Sequence, residues 1–323
     1  MIKDLEHFRN LVTSKEYKHI FILSSPIIVF IAKLVINNFS IPQNNVILIN
    51  SRNTCIDLIG FKSIYLKSSI LDRFIKKFFL FSYQGFKLRK KIEKISNKFI
   101  LYCDWDNREV IEILNSKKLV GQVYIEEGQL SFNNFPLYSP KKDRLSQLKR
   151  LKRWRKNLKT MKSNDDIPLF NECFNKEAFA FFTISNKAFP QVNNDKKFNF
   201  SDFSILRDNY KPKLLGQKNI GIMCSPRRLK FNNWEESITL LINILPENTS
   251  IKLHPEYYSN LNFYKKFINI FNELNYKKHT ICEKSIIVEA EMLFEKKILY
   301  GPMTSLKTYA PIFGSKFIDI SIY

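Results

Sequence analysis

Ile298-Leu299-Tyr300, a Gly301-Pro302-Met303-Thr304-Ser305 turn, a helical stretch 305–313 and Lys316-Phe317-Ile318-Asp319-Ile320 follow one another near the end of the chain, and this stretch decides the fold. A short apolar run broken by Gly-Pro reads as a strand, the next stretch as a helix, and the last run as a second strand. A strand, a helix and a strand in quick succession imply two parallel strands joined by a crossing helix.

The same rhythm extends backwards. Strands are expected at 219–224, 250–253 and 280–282, with helices at 234–244, 262–274 and 288–294. Near the other end, strands at 19–24, 46–50, 63–66, 99–103 and 120–125 alternate with helical runs at 26–37 and 108–115. Between 140 and 210 the pattern dissolves, apart from one basic helix and the aromatic group Phe179, Phe181 and Phe182. The Asn/Asp/Lys-rich stretch 192–199 reads as a connection between domains. The expected fold is therefore α/β, with two Rossmann-like domains over 1–205 and 206–323 facing across a cleft.

With 323 residues, 45% of them hydrophobic and 29 of them Phe, there is enough apolar material for two cores, which excludes a disordered chain. The formal net charge of +22 favours anionic partners: nucleotides, nucleic acid or an anionic lipid surface. The five cysteines, Cys55, Cys103, Cys173, Cys224 and Cys282, form no Cys-x-x-Cys pair, and four histidines provide no zinc spacing. Buried free thiols in a reducing compartment are expected. The start of the chain carries Asp4 and Glu6 where a secretory signal would be basic and then apolar, and the apolar stretch 25–36 is interrupted by Lys33. The expected location is the cytoplasm, with peripheral contact at the cytoplasmic face of the inner membrane.

In an open α/β sheet, ligands sit at the carboxyl ends of strands, and three segments fall there. Val123-Tyr124-Ile125 ends in Glu126-Glu127-Gly128. Consecutive strand residues point to opposite faces, so one carboxylate can serve as a base while the other holds backbone; a polar strand end before a turn explains the same residues. Ile251-Lys252-Leu253 ends in His254-Pro255. Pro255 fixes the exit of His254, whose imidazole can donate to a phosphate, and Lys252 flanks the anion or faces solvent. Gly301-Pro302 leads to Thr304-Ser305 at a helix start, where hydroxyls and free N–H groups hold an anion or simply cap.

In this order the three segments resemble those of bacterial sialyltransferases and polysialyltransferases of the two-domain GT-B type, marked by an acidic pair with glycine, a His-Pro, and a Ser-Ser or Ser-Thr pair. The matches are Glu126-Glu127-Gly128, His254-Pro255 and Thr304-Ser305, the last in reversed order. The resemblance implies an inverting, metal-independent transferase that moves sialic acid or a related nonulosonic acid from its CMP form to a cell-surface glycan, lipooligosaccharide or capsule acceptor, which is lipid-linked in some cases. By resemblance, Glu126 is the base on the acceptor hydroxyl, and His254 assists departure of CMP. Pro255, Thr304 and Ser305 belong to the donor site, in the second domain, and the first domain takes the acceptor. No cofactor or metal is implied.

Other residues compete for these roles. Cys103-Asp104-Trp105-Asp106 contains the Asp-x-Asp pair of metal-dependent nucleotide-sugar transferases, although a strand-end turn and helix cap explain it too. Ser24 and Ser25 line the acceptor side or cap the next helix, Ser225 and Arg227 end a strand on the donor side, and Glu289 reaches a ribose or caps. From 141 to 162 there are eleven Lys/Arg and one acid, with Leu145, Leu148, Leu151, Trp154 and Leu158 at helical spacing. This 145–159 helix lies on an anionic membrane, docks a glycan, or is a solvated face. A second basic region, 73–77 and 87–98, flanks Phe78, Phe79, Leu80, Phe81 and Tyr83. A non-enzymatic nucleic-acid-binding protein is the remaining alternative, without a recognisable binding signature; no obligate nucleic acid is expected.

Overall fold

The computed structural model describes residues 5–14, 16–50, 62–65, 82–134, 137–138, 174–226, 234–274, 278–302 and 304–320. The basic helix 145–159, the run 73–81, Cys55, Cys173, Arg227, Arg228 and Met303 lie outside them. The chain divides into two compact units, Met1–Asp202 and Phe203–Tyr323.

The first unit is built on a parallel sheet. Its strands are β1 (Lys18–Leu23), β2 (Val46–Asn50), β3 (Lys62–Tyr65), β4 (Phe99–Cys103) and β5 (Leu119–Ile125). A two-stranded ladder of β6 (Leu137–Tyr138) and β7 (Phe174–Asn175) stands apart, and β8 (Ala180–Thr183) and β9 (Lys197–Asn199) complete the sheet in the order β3-β2-β1-β4-β5-β8-β9. β1, β2 and β4 are buried along nearly their whole length, as strands covered on both faces must be. Side chains alternate between the two faces. Ile20 and Ile22 join Leu88, Ile92, Val110 and Ile113 from the helices Tyr83–Ile95 and Arg108–Leu114. Phe21 points the other way, stacked on Tyr102 at 4.0 Å between ring centres.

The helix Pro26–Asn38 begins with proline at a position where the missing N–H costs nothing, and nine of its residues are buried. The helix Tyr83–Ile95 resolves part of the second basic region. Leu88 and Ile92 are core, whereas Lys87, Lys90, Lys91 and Lys94 are exposed and share the opposite face through their three- and four-residue spacing. The stretch 192–199 departs from the expected connection. Lys197–Asn199 pairs with β8 as the edge strand, Phe198 opposite Phe182, and Phe198 packs on Phe39 and Phe200.

The second unit repeats the plan. β10 (Asn219–Ile222), β11 (Ser250–Lys252), β12 (Thr280–Ile281), β13 (Ile298–Gly301) and β14 (Lys316–Asp319) form a parallel sheet in the order β12-β11-β10-β13-β14. Ile238, Leu241 and Ile242 of the helix Trp234–Ile244 pack with Ile251, Tyr257, Phe267 and Phe271 in one core cluster.

Both sheets thus run 3-2-1-4-5 in their first five strands, with the first strand between the second and the fourth. The direction of winding reverses there, between β1 and β4 and between β10 and β13, the position at whose carboxyl ends open α/β sheets bind ligands. Among the described residues no helix is long and apolar enough to cross a membrane.

Candidate functional site

At the carboxyl edge of the second sheet, β11, β10 and β13 lie side by side and deliver His254, Ser225 and the Thr304-Ser305 pair respectively. The approach of β13 to β10 is close: a Cβ on Gly301 would stand 2.6 Å from the carbonyl oxygen of Ile222. Glycine is therefore required at the reversal itself.

His254 is exposed and caps the helix Pro255–Ser259, its Nδ1 accepting from the backbone N–H of Glu256 at 3.2 Å. Pro255 supplies no N–H, so the amide of Glu256 is the first this helix offers. The Glu256 carboxylate in turn accepts from the Ser225 hydroxyl, which joins the end of β10 to the start of the helix after β11. Glu256 is a positioning residue that the sequence reading passed over; its signal was an acid in the first turn behind a capping residue.

Thr304 Oγ1 accepts from Leu306 N–H at 3.2 Å, so one hydroxyl of the pair caps its own turn. The Ser305 hydroxyl makes no cap, and both residues are half-buried. Lys252 and Glu289 lie deeper. Lys252 Nζ donates to the carbonyls of Glu283 at 3.0 Å and Lys284 at 2.9 Å, and burial lowers its pKa. Burial likewise raises the carboxyl of Glu289, opposed by its own backbone amide and by the charge of Lys252. Lys252 thus ties the end of β11 to the turn after β12. Tyr257 is fully buried, its hydroxyl without a hydrogen-bond partner.

The carboxyl edge of the first sheet is organised differently. At its winding reversal the Ser24 hydroxyl donates to Asp104 Oδ2 at 2.6 Å, and Asp104 Oδ1 accepts from Trp105 N–H at 3.0 Å. Ser25 precedes the helix Pro26–Asn38 without capping it through its side chain. Asp106 Oδ1 accepts from Gln122 Nε2 at 2.6 Å and from the Tyr124 hydroxyl at 3.0 Å. The two aspartates hold neighbouring strands, and no cluster of three or more His, Cys, Asp or Glu suited to a metal occurs among the described residues.

Glu126 ends β5, one strand further along. It is fully buried, and its Oε2 accepts from the backbone N–H groups of Ile184 at 2.7 Å and Ser185 at 3.1 Å. Glu127 is half-buried, its own N–H donating to the Ser131 hydroxyl at 2.9 Å, and Gly128 turns the chain with φ 107°. Glu126 thus fixes the loop after β8, and Glu127 is the more accessible member of the pair. Among the described cysteines, Cys103 and Cys282 are buried free thiols, the latter pushed up to about 11 by burial, and Cys224 is half-buried.

Two Rossmann-like sheets with these winding reversals make a fold of the GT-B type. No family profile matches the sequence, and no curated protein matches it. Solved structures do. A Staphylococcus aureus MnaA structure with UDP aligns over 94% of this chain and 79% of its own at 13% identity and a TM-score of 0.52. The UDP-GlcNAc 2-epimerase from Neisseria meningitidis, bound to UDP-GlcNAc, aligns over 95% of this chain and 83% of its own at 11% identity and a TM-score of 0.54.

Proposed function

We propose that this chain is a nucleotide-sugar glycosyltransferase whose second unit holds the donor and whose first unit serves the acceptor. The observation that carries this reading is the polar edge of the second sheet: an exposed imidazole that caps a helix start after β11, and half-buried hydroxyls after β13, one strand to either side of β10. Such groups stabilise the charge that grows on a departing phosphate without a bound metal.

In its sharper form, the reaction is inverting transfer of sialic acid or a related nonulosonic acid from CMP to a glycan of the cell surface. The ordered strand-end motifs support it. A sugar hydroxyl is a weak nucleophile and needs a carboxylate to accept its proton. Glu127, the more accessible of the acidic pair, takes that part, and Glu126 holds the loop after β8. His254 and Ser305 face the leaving phosphate, with Pro255 and Thr304 shaping their turns. The site is proposed to lie on the cytoplasmic side, with the basic segment 145–159 on anionic lipid. A UDP-sugar is the second reading, favoured by the UDP and UDP-GlcNAc in the two structures of like fold.

The test is incubation of the purified protein with CMP-sialic acid, excess EDTA and galactose-terminated or sialylated acceptors. CMP release that needs acceptor and survives EDTA is expected. Absence of release, with UDP stabilising the protein in thermal shift where CMP does not, would replace the CMP reading with the UDP one.

A further inference from the structure

A neutral imidazole carries one N–H and one lone pair, and which nitrogen has the proton decides what the ring can do. In His254 the answer follows from the helix start. Nδ1 accepts the Glu256 N–H, so that nitrogen presents its lone pair and the ring proton resides on Nε2. The order His-Pro-Glu builds this in, because Pro255 removes the amide that would precede Glu256. The imidazolium would turn an Nδ1–H against a backbone N–H, two donors facing each other. The Glu256 carboxylate accepts from the Ser225 hydroxyl, a separate tie between this helix start and the end of β10.

We propose that His254 is held as the neutral Nε2–H tautomer and acts on the nucleotide phosphate as a fixed hydrogen-bond donor, not as a proton donor, with Glu256 as its positioning residue. The role toward phosphate rests on the nucleotide-sugar reading above; the tautomer does not. When the sugar–oxygen bond breaks, its electron pair stays on the phosphate oxygen, whose charge the Nε2–H offsets while the proton remains on the ring. Transfer of that proton would leave an imidazolate. His254 is thus neutral before and after the step, and the phosphate leaves as the anion.

The chain has four histidines, so ring-nitrogen spectra of the full-length protein labelled at histidine are tractable. His279 is an internal reference: its Nδ1 accepts from Thr249 N–H at 3.3 Å, which dictates the same tautomer in a buried ring. At about pH 7.5, where an unperturbed imidazole is mostly neutral, His254 is expected to show an acceptor-type Nδ1 and a protonated Nε2. Addition of CMP or UDP should move the Nε2 signal without producing an imidazolium. Glu256→Ala keeps the amide and should keep the tautomer; Glu256→Pro removes the amide and should give averaged tautomers and about tenfold weaker nucleotide binding. An Nδ1–H tautomer or an imidazolium in the unaltered protein overturns the assignment, whether or not the proline variant folds. The expected tautomer in a protein that binds neither nucleotide overturns the role toward phosphate and the nucleotide reading, and leaves the tautomer standing.

Discussion

The first and second sheets share a strand order, yet their carboxyl edges treat polar residues in opposite ways. In the first, Ser24 meets Asp104, Asp106 meets Gln122 and Tyr124, and Glu126 meets two backbone amides, all as internal ties. In the second, His254 is exposed while its cap and the Ser225–Glu256 bond fix its position. A carboxylate buried among amides supports geometry; an exposed donor whose partner atoms are already set is arranged for a ligand. The same topology thus yields a braced edge and a presenting edge.

The largest expected effect breaks the braced edge. Glu126→Ala leaves two buried N–H groups without their acceptor and should cost about 4 kcal/mol of stability, read by denaturant unfolding. Glu126→Gln should retain much of that stability, and Glu127→Gln should abolish turnover with little change in unfolding. If Glu126→Gln is the variant that folds but does not turn over, the two carboxylates exchange roles.

A pH effect follows within the same unit. Burial lowers the pKa of His19 from 6.5 to about 4. The folded state therefore resists a proton that the unfolded chain accepts. This contribution is intact above about pH 6.5 and falls away as pH drops toward 4, by about 3 kcal/mol in all. His19→Leu should flatten stability across that window. Gly301→Ala, whose new methyl would meet the Ile222 carbonyl, should lose about 2 kcal/mol, measured by unfolding.

His254→Ala should weaken nucleotide binding about tenfold, equivalent to about 1.4 kcal/mol. His254→Asn, which can still cap, should keep the helix start with the same binding loss. The smallest effect is at Tyr257. Phe there removes a buried hydroxyl that lacks a partner, so stability should be unchanged or rise by about 1 kcal/mol.

Much of this fold was legible because parallel strands covered on both faces appear as apolar runs. β2 at 46–50 and β4 at 99–103 were read to their ends, as was the helix 234–244. β9 was not, since a three-residue, half-exposed edge strand of Lys, Phe and Asn has no apolar run to announce it. β8 was visible only as an aromatic group, because its strand character depends on pairing with β5, more than fifty residues earlier. For the site, the strand-end positions of His254, Thr304 and Ser305 could be read. The burial of Glu126 could not: its partners Ile184 and Ser185 come from the loop after β8 and carry no local signal. Which of Glu126 and Glu127 is buried is a tertiary fact.

The contrast between the two edges is tested most directly by titrating CMP and UDP calorimetrically into the unaltered protein and into His254→Ala, with EDTA present throughout. The account predicts one nucleotide site, weakened about tenfold by the substitution. Equal affinity in both proteins, or no binding to either, would contradict it.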